Sequence, residues 1–276
     1  MPGSGSDRDE GVAVDLGLAD KRCIITGGSR GIGAATAAAL LAEGASVALI
    51  ARDAADLATA ATRLRASGGG SVVTVSCDLS TAEGVETAVA EAIGGLGGVD
   101  VLVNNAGASP PGRLGDVTDD IWQESIDLKL LGYVRAMRAV MPHLRAQGSG
   151  VIVNVLGIAG TQASPGYVLA CLNTALAHLT RSVAEEVAAD GVRVVGIHPG
   201  PTATDRLLSM VAAGAEREGV EPAEYADRVI GAASPLGRIA RPDEVAHLVA
   251  VLVSDVAGYV TGHSLFVDGG LAKGHL

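Results

Sequence analysis

The stretch Thr26-Gly27-Gly28-Ser29-Arg30-Gly31-Ile32-Gly33 decides the fold. A β-branched run, Cys23–Thr26, leads into it, and an Ala-rich helical segment, Gly33–Glu43, leads out. Glycines at a strand-to-helix turn let the backbone close on a diphosphate, which then faces the positive end of the helix. The same string in another setting would be an ordinary turn; the strand before it and the helix after it give it meaning.

Working outward, short apolar runs alternate with long Ala-rich segments. The strands expected are Cys23–Thr26, Ser46–Ala51, Val72–Ser76, Val99–Val103, Val151–Leu156, Val192–His198 and Ser264–Val267. The helices expected between them are Gly33–Glu43, Ala54–Ala66, Thr81–Ile93, Asp119–Gln147, Ala170–Ala189 and Asp243–Leu252. Strands alternating with helices imply right-handed crossovers, and nearly continuous apolar strands imply a parallel sheet covered on both faces. The expectation is an α/β chain: a Rossmann-like, doubly wound parallel sheet of about seven strands in a three-layer sandwich. Residues 1–17 read as a flexible polar lead-in and 18–276 as a single domain. Within it, 203–240 breaks the rhythm with Pro222, Pro235 and Gly237 and reads as a mobile insertion over the site.

Composition narrows the function. Of 276 residues, 48% are hydrophobic and 18% charged, enough for a large core and too apolar for disorder. Aromatics are 2% and the net charge is −11, which disfavours nucleic acid, anionic lipid and base-stacking platforms. Cys23, Cys77 and Cys171 are an odd set without metal-ligand spacing, so neither a disulfide framework nor a metal site is expected. The polar segment Met1–Glu10 is unlike a signal peptide, and no apolar run reaches the ~18 residues of a membrane span. The expected setting is cytoplasmic.

The second strand ends Leu49-Ile50-Ala51-Arg52-Asp53. In a dinucleotide fold an acid at this point accepts from the adenosine ribose hydroxyls, whereas an arginine takes a 2′-phosphate. Ala51 supplies no acid, Arg52 follows it, and Arg30 is a second guanidinium within the glycine loop. Two planar forks suit a dianion better than a diol, so the expected cofactor is NADPH/NADP+. Pairing of Asp53 with Arg52 would weaken that preference.

The glycine string, with Asn104-Asn105-Ala106-Gly107 after the fourth strand, resembles the short-chain dehydrogenase/reductase family. The likeness runs over about 18–270. It includes Asp78-Leu79, Pro199-Gly200 with Thr202 and Thr204, and Tyr259-Val260-Thr261-Gly262 before Val267-Asp268-Gly269-Gly270. It implies cofactor contacts at Gly27, Ser29, Arg30, Gly31, Ile32, Gly33, Arg52, Asp78, Leu79, Asn105, Ala106, Gly107, Pro199, Gly200, Thr202 and Thr204. It also implies a homodimer or homotetramer paired through the long helices, and hydride exchange between NAD(P)H and an alcohol or ketone.

The family's chemistry rests on Asn, Ser, Tyr and Lys, and all four positions differ here. By register, Lys129 stands at the Asn position, Gly157 at Ser, Leu169 at Tyr and Asn173 at Lys. Amine and amide are exchanged between two helices, which makes Lys129 and Asn173 the candidate catalytic pair. Tyr167 is two residues from the Tyr position and at helical spacing would face away. Cys171 reads as a small buried packing residue, and His143, His178 and His198 have no acidic partner nearby in sequence. The expected activity is an NADPH-dependent reductase of a bulky, mostly apolar, self-activated carbonyl, quinone or imine. The alternatives are a non-catalytic NADP(H)-binding sensor or silent subunit and, last, a dehydratase or cyclase on the same scaffold.

Overall fold

The computed structural model describes residues 14–66, 68–107 and 110–273. Strands β1 (Arg22–Thr26), β2 (Ser46–Ala51), β3 (Val72–Ser76), β4 (Val101–Asn104), β5 (Gly150–Val155), β6 (Val192–Pro199) and β7 (Ser264–Val267) form one sheet. Its order is β3-β2-β1-β4-β5-β6-β7, with every pair parallel. The order reverses between β1 and β4, and the crevice at the carboxyl ends of such a pair is where an open α/β sheet takes its ligand.

The helices are α1 (Gly31–Ala42), α2 (Ala54–Ala66), α3 (Ala82–Leu96), α4 (Asp119–Ser125), α5 (Gly132–Gln147), α6 (Cys171–Val187), α7 (Asp205–Glu218), α8 (Pro222–Tyr225) and α9 (Pro242–Val253). Strand side chains alternate between the two covering layers, as the pleat requires. Cys23 and Ile25 of β1 pack with Leu40 of α1 and Val249 of α9, whereas Ile24 packs with Val89 of α3 and Val140 of α5. Both layers exclude water, which accounts for unbroken runs such as Val47–Ile50, fully buried on both sides.

One expectation needs adjusting. The helix expected over Asp119–Gln147 is interrupted by a π-helical segment, Ile126–Leu131, which contains Lys129. A π segment often marks a functional site, because the extra residue re-aims the side chains around it. The 203–240 stretch carries α7, α8 and a π segment at Ala226–Ile230, with Val211 and Ala215 buried. Of the lead-in expected over residues 1–17, residues 1–13 lie outside the described residues, and Leu16 packs on the core. Among the described residues, no helix is long and apolar enough to cross a membrane and no acidic, His or Cys cluster could hold a metal.

Candidate active site

The glycine loop is shaped by backbone need. Gly27 and Gly31 have φ of +66° and +55°, in the left-handed region that glycine enters without a Cβ penalty. At Gly33 a Cβ would lie 2.2 Å from the Gly27 carbonyl oxygen and 2.6 Å from Asn105 Nδ2, so no side chain fits. Asn105 fastens the loop: its Nδ2 donates to Thr26 O and Gly27 O, each at 3.1 Å. Thr26 Oγ1 in turn accepts from the Asn105 and Ala106 N–H groups at 2.9 and 3.0 Å. The two sequence motifs are thus one unit that leaves the amino end of α1 open, with Ser29 and Ile32 half-buried beside it.

Around this loop the other expected cofactor residues converge. Thr204 caps α7, and its Cγ2 lies 3.0 Å from where a Gly31 Cβ would stand. Pro199 ends β6, Gly200 packs against the Asp268 backbone, and Thr202 Oγ1 donates to Gly200 O at 3.0 Å. Leu79 is buried. The Asp78 carboxyl is held below the usual range, chiefly by the Ser80 N–H it accepts from, with the Arg52 charge contributing. Arg52 is exposed at the end of β2, and Arg30 lies 3.4 Å from Asp56. Asp53 does not take Arg52; its Oδ1 accepts from the Ala55 and Asp56 N–H groups and so caps α2.

The substituted residues also come together. Gly107, at φ +152°, has no Cβ because the Lys129 side chain lies 3.0 Å from that point. Lys129 Nζ donates to Leu156 O at 3.0 Å and stands 5.9 Å from the Tyr133 ring centroid. Lys129 is only 6% exposed, and burial, with a smaller push from Arg206, brings its pKa down to about 8. Gly157, at φ +142°, has Asn173 Nδ2 3.1 Å from where its Cβ would be. Asn173 is buried, and its Oδ1 has no hydrogen-bond partner among the described residues. The Gly157 carbonyl is 3.0 Å from His198 Nδ1, which therefore donates to it, and His198 stacks on Phe266.

Other candidates fall away. Leu169 is fully buried and packs with Val117 and Leu172, so it lines the core rather than the cleft. Tyr133 Oη donates to Val155 O at 2.8 Å, and burial pushes its phenol up, beyond use as an acid. Cys171 is exposed, not buried as its type suggested, because α6 turns that position outward in its first turn. Sequence reasoning missed Arg206, whose Nη2 donates to Tyr167 Oη at 3.3 Å. Only the folded chain reveals it, since the two residues lie far apart in sequence. Asn104 and Asn154 are also inward-facing amides joined at 2.9 Å and tied to Thr180, a structural bridge across β4 and β5.

A glycine cradle at the sheet's reversal point, closed by Asn105 and roofed by Thr204, defines the class: a dinucleotide-binding oxidoreductase fold. Residues 27–272 match the family described as Enoyl-(Acyl carrier protein) reductase. The chain is 38% identical to "Short-chain reductase protein NovJ" of Streptomyces niveus, over 90% of this chain and 92% of that one. It is 36% identical to "Cis-4-hydroxycyclohexanecarboxylate dehydrogenase" of Sinomonas cyclohexanicum, over 92% and 97%. Among solved structures, L-sorbose reductase of Gluconobacter frateurii, complexed with NADPH and L-sorbose, superposes with a TM-score of 0.91 at 33% identity, over 95% of this chain and 100% of that one. The chain belongs to the short-chain dehydrogenase/reductase family.

Proposed function

We propose that the protein is an NADPH-dependent reductase of a bulky, self-activated carbonyl, quinone or imine. The observation that carries this reading is the pairing of a formed coenzyme cradle with a polar centre built from Lys129 and Asn173. The residues of the cradle fit the coenzyme: every glycine that faces it lies where a Cβ would collide or the backbone turns left-handed. Arg52 and Arg30 are the guanidinium groups for the 2′-phosphate, in keeping with the NADPH of the similar L-sorbose reductase. Bound there, the reduced nicotinamide supplies a hydride.

The remaining work falls to this chain's own side chains. Lys129 donates one N–H to Leu156 O, which leaves two for a ribose hydroxyl and the substrate oxygen. Asn173 Oδ1 is the matching acceptor for a hydroxyl. A buried ammonium stabilises negative charge that develops on the substrate oxygen, and it does so more strongly than in water. No side chain at position 157 or 169 gives a proton. A carbonyl substrate therefore supplies it from a hydroxyl beside its carbonyl, a quinone takes it from solvent after accepting the hydride, and a protonated imine accepts the hydride without a further proton. The bare Gly157 leaves room for a wide reactant.

The exposed face of α6, with Cys171, Ala175 and His178, suits pairing with a second copy as a homodimer or homotetramer. NADPH consumption with aromatic hydroxy-ketones, quinones and cyclic imines tests the reading. Turnover of one of these classes, and none of a plain ketone, is the expected result. Tight NADPH binding with no turnover of any class would overturn it in favour of a non-catalytic subunit.

A further inference from the structure

One corner of the molecule ties the glycine loop to the end of β2, where a dinucleotide fold reads the adenosine ribose. Gly27 N donates to Ile50 O at 2.7 Å, and from β3 Cys77 N and Ser76 Oγ donate to Ala51 O and Arg52 O at 3.0 and 2.9 Å. The chain then turns straight into α2, whose first turn is fixed on two sides. Asp53 Oδ1 accepts from the Asp56 N–H at 2.9 Å, and Leu57 is buried in the core. Between these anchors Asp56 is turned towards the glycine loop, and its Oδ2 lies 3.4 Å from Arg30 Nε. The other guanidinium of the corner, Arg52, also has an acid in reach, since its charge helps to hold the Asp78 carboxyl low. Each arginine that faces the ribose thus has a carboxylate of this chain beside it.

We propose that Asp56 tunes the coenzyme preference by competing with the 2′-phosphate of NADPH for the Arg30 guanidinium. This rests on the reductase reading and deepens it by naming a specificity-determining residue. At 3.4 Å the Arg30–Asp56 pair is longer than the roughly 2.7–2.9 Å of a charge-assisted N–H···O bond, and its side chains are 66% and 37% exposed. Solvent screens so loose a pair, and it does little to steady Arg30. A phosphate dianion offers the planar fork shorter, paired bonds and a larger charge, so it takes the guanidinium from Asp56. The displaced carboxylate is then left beside the dianion, and this repulsion subtracts from NADPH binding. NADH presents a neutral hydroxyl at the same place and leaves the pair intact. Asp56 therefore narrows the margin between the two coenzymes that Arg30 and Arg52 would otherwise set.

The test is titration of NADPH and of NADH into the full chain, into Asp56→Asn, and into Arg30→Ala with and without Asp56→Asn. Asp56→Asn should bind NADPH about three- to tenfold more tightly, the order expected when a like charge is removed from beside a dianion at a surface. Its NADH constant should stay within about twofold of the wild type, which also shows that the variant is folded. The gain should shrink at high salt, where charges near solvent are screened. In the Arg30→Ala chain the same substitution should yield less than half of that gain. An NADPH constant that stays the same or rises in Asp56→Asn would overturn the proposal. An equal gain for NADH, or an undiminished gain without Arg30, would overturn it too. Coenzyme binding that ignores Asp56 removes only this role, whereas a wild-type chain that binds neither coenzyme removes the reductase reading itself.

Discussion

Lys129 and Asn173 close on one short segment of chain: Lys129 Nζ donates to Leu156 O at 3.0 Å, and Asn173 Nδ2 lies 3.1 Å from the missing Cβ of Gly157. The amine comes from the π segment before α5 and the amide from α6. Together they put one cation and one unfilled acceptor beside a residue that has no side chain of its own. Their behaviour makes the account testable.

The rate should depend on the charge of Lys129. Its pKa in the folded chain is about 8, below its ordinary value, so the ammonium is present below that pH and lost above it. Single-turnover NADPH oxidation should therefore be flat near neutrality and fall as pH rises through about 8. A pH profile that stays level to pH 9.5 would show that Lys129 plays no charged role.

The same burial makes Lys129 a cost to the fold. Below pH 8 the folded state must hold a charge that the unfolded chain exposes to water, and the cost disappears as pH climbs towards the ordinary lysine range. Lys129→Met should stabilise the protein by about 1–3 kcal/mol at pH 7, the order expected when a poorly paired buried charge becomes apolar. Thermal melting should show the gain shrinking above pH 8. A destabilised variant would mean that the bond to Leu156 O outweighs the desolvation.

Gly157 should not accept the family's serine cheaply. At φ +142° an L-residue is strained, and its Cβ would press on Asn173 Nδ2. Gly157→Ser should lose on the order of 1–3 kcal/mol, as read by denaturant unfolding. A neutral variant would show that the loop relaxes to an ordinary backbone.

Asn105→Ala should loosen the cradle without touching the polar centre. It removes two part-buried hydrogen bonds to Thr26 O and Gly27 O, at about 1–3 kcal/mol in all. Coenzyme affinity should drop with stability; a stable variant that binds NADPH normally would show that Gly27 and Gly31 hold the loop unaided.

The cradle was legible because its demands are local. Glycines with left-handed φ, and an Asn that must reach two carbonyls, leave signs in the residue types themselves. The alternation that defines β1 to β7 is equally local, since strands covered on both faces must be apolar throughout. The rest depended on contacts between distant segments. Ile126-Asp127-Leu128-Lys129-Leu130-Leu131 has the apolar spacing of ordinary helix, so its π geometry left no signal. Asp53 beside Arg52 looked like an ion pair, yet the free N–H groups at the start of α2 claimed it first. Leu169 sits at a catalytic position in register but was taken by the cluster around Val117. Arg206 meets Tyr167 only in the folded chain, 39 residues away in sequence.

The measurement that bears most directly on the account is a calorimetric titration of NADPH into the wild-type chain and into Lys129→Ala. The account predicts saturable binding by the wild type, preferred over NADH, and a dissociation constant at least tenfold higher for the variant. No heat with the wild type, or identical constants for the two proteins, would contradict it.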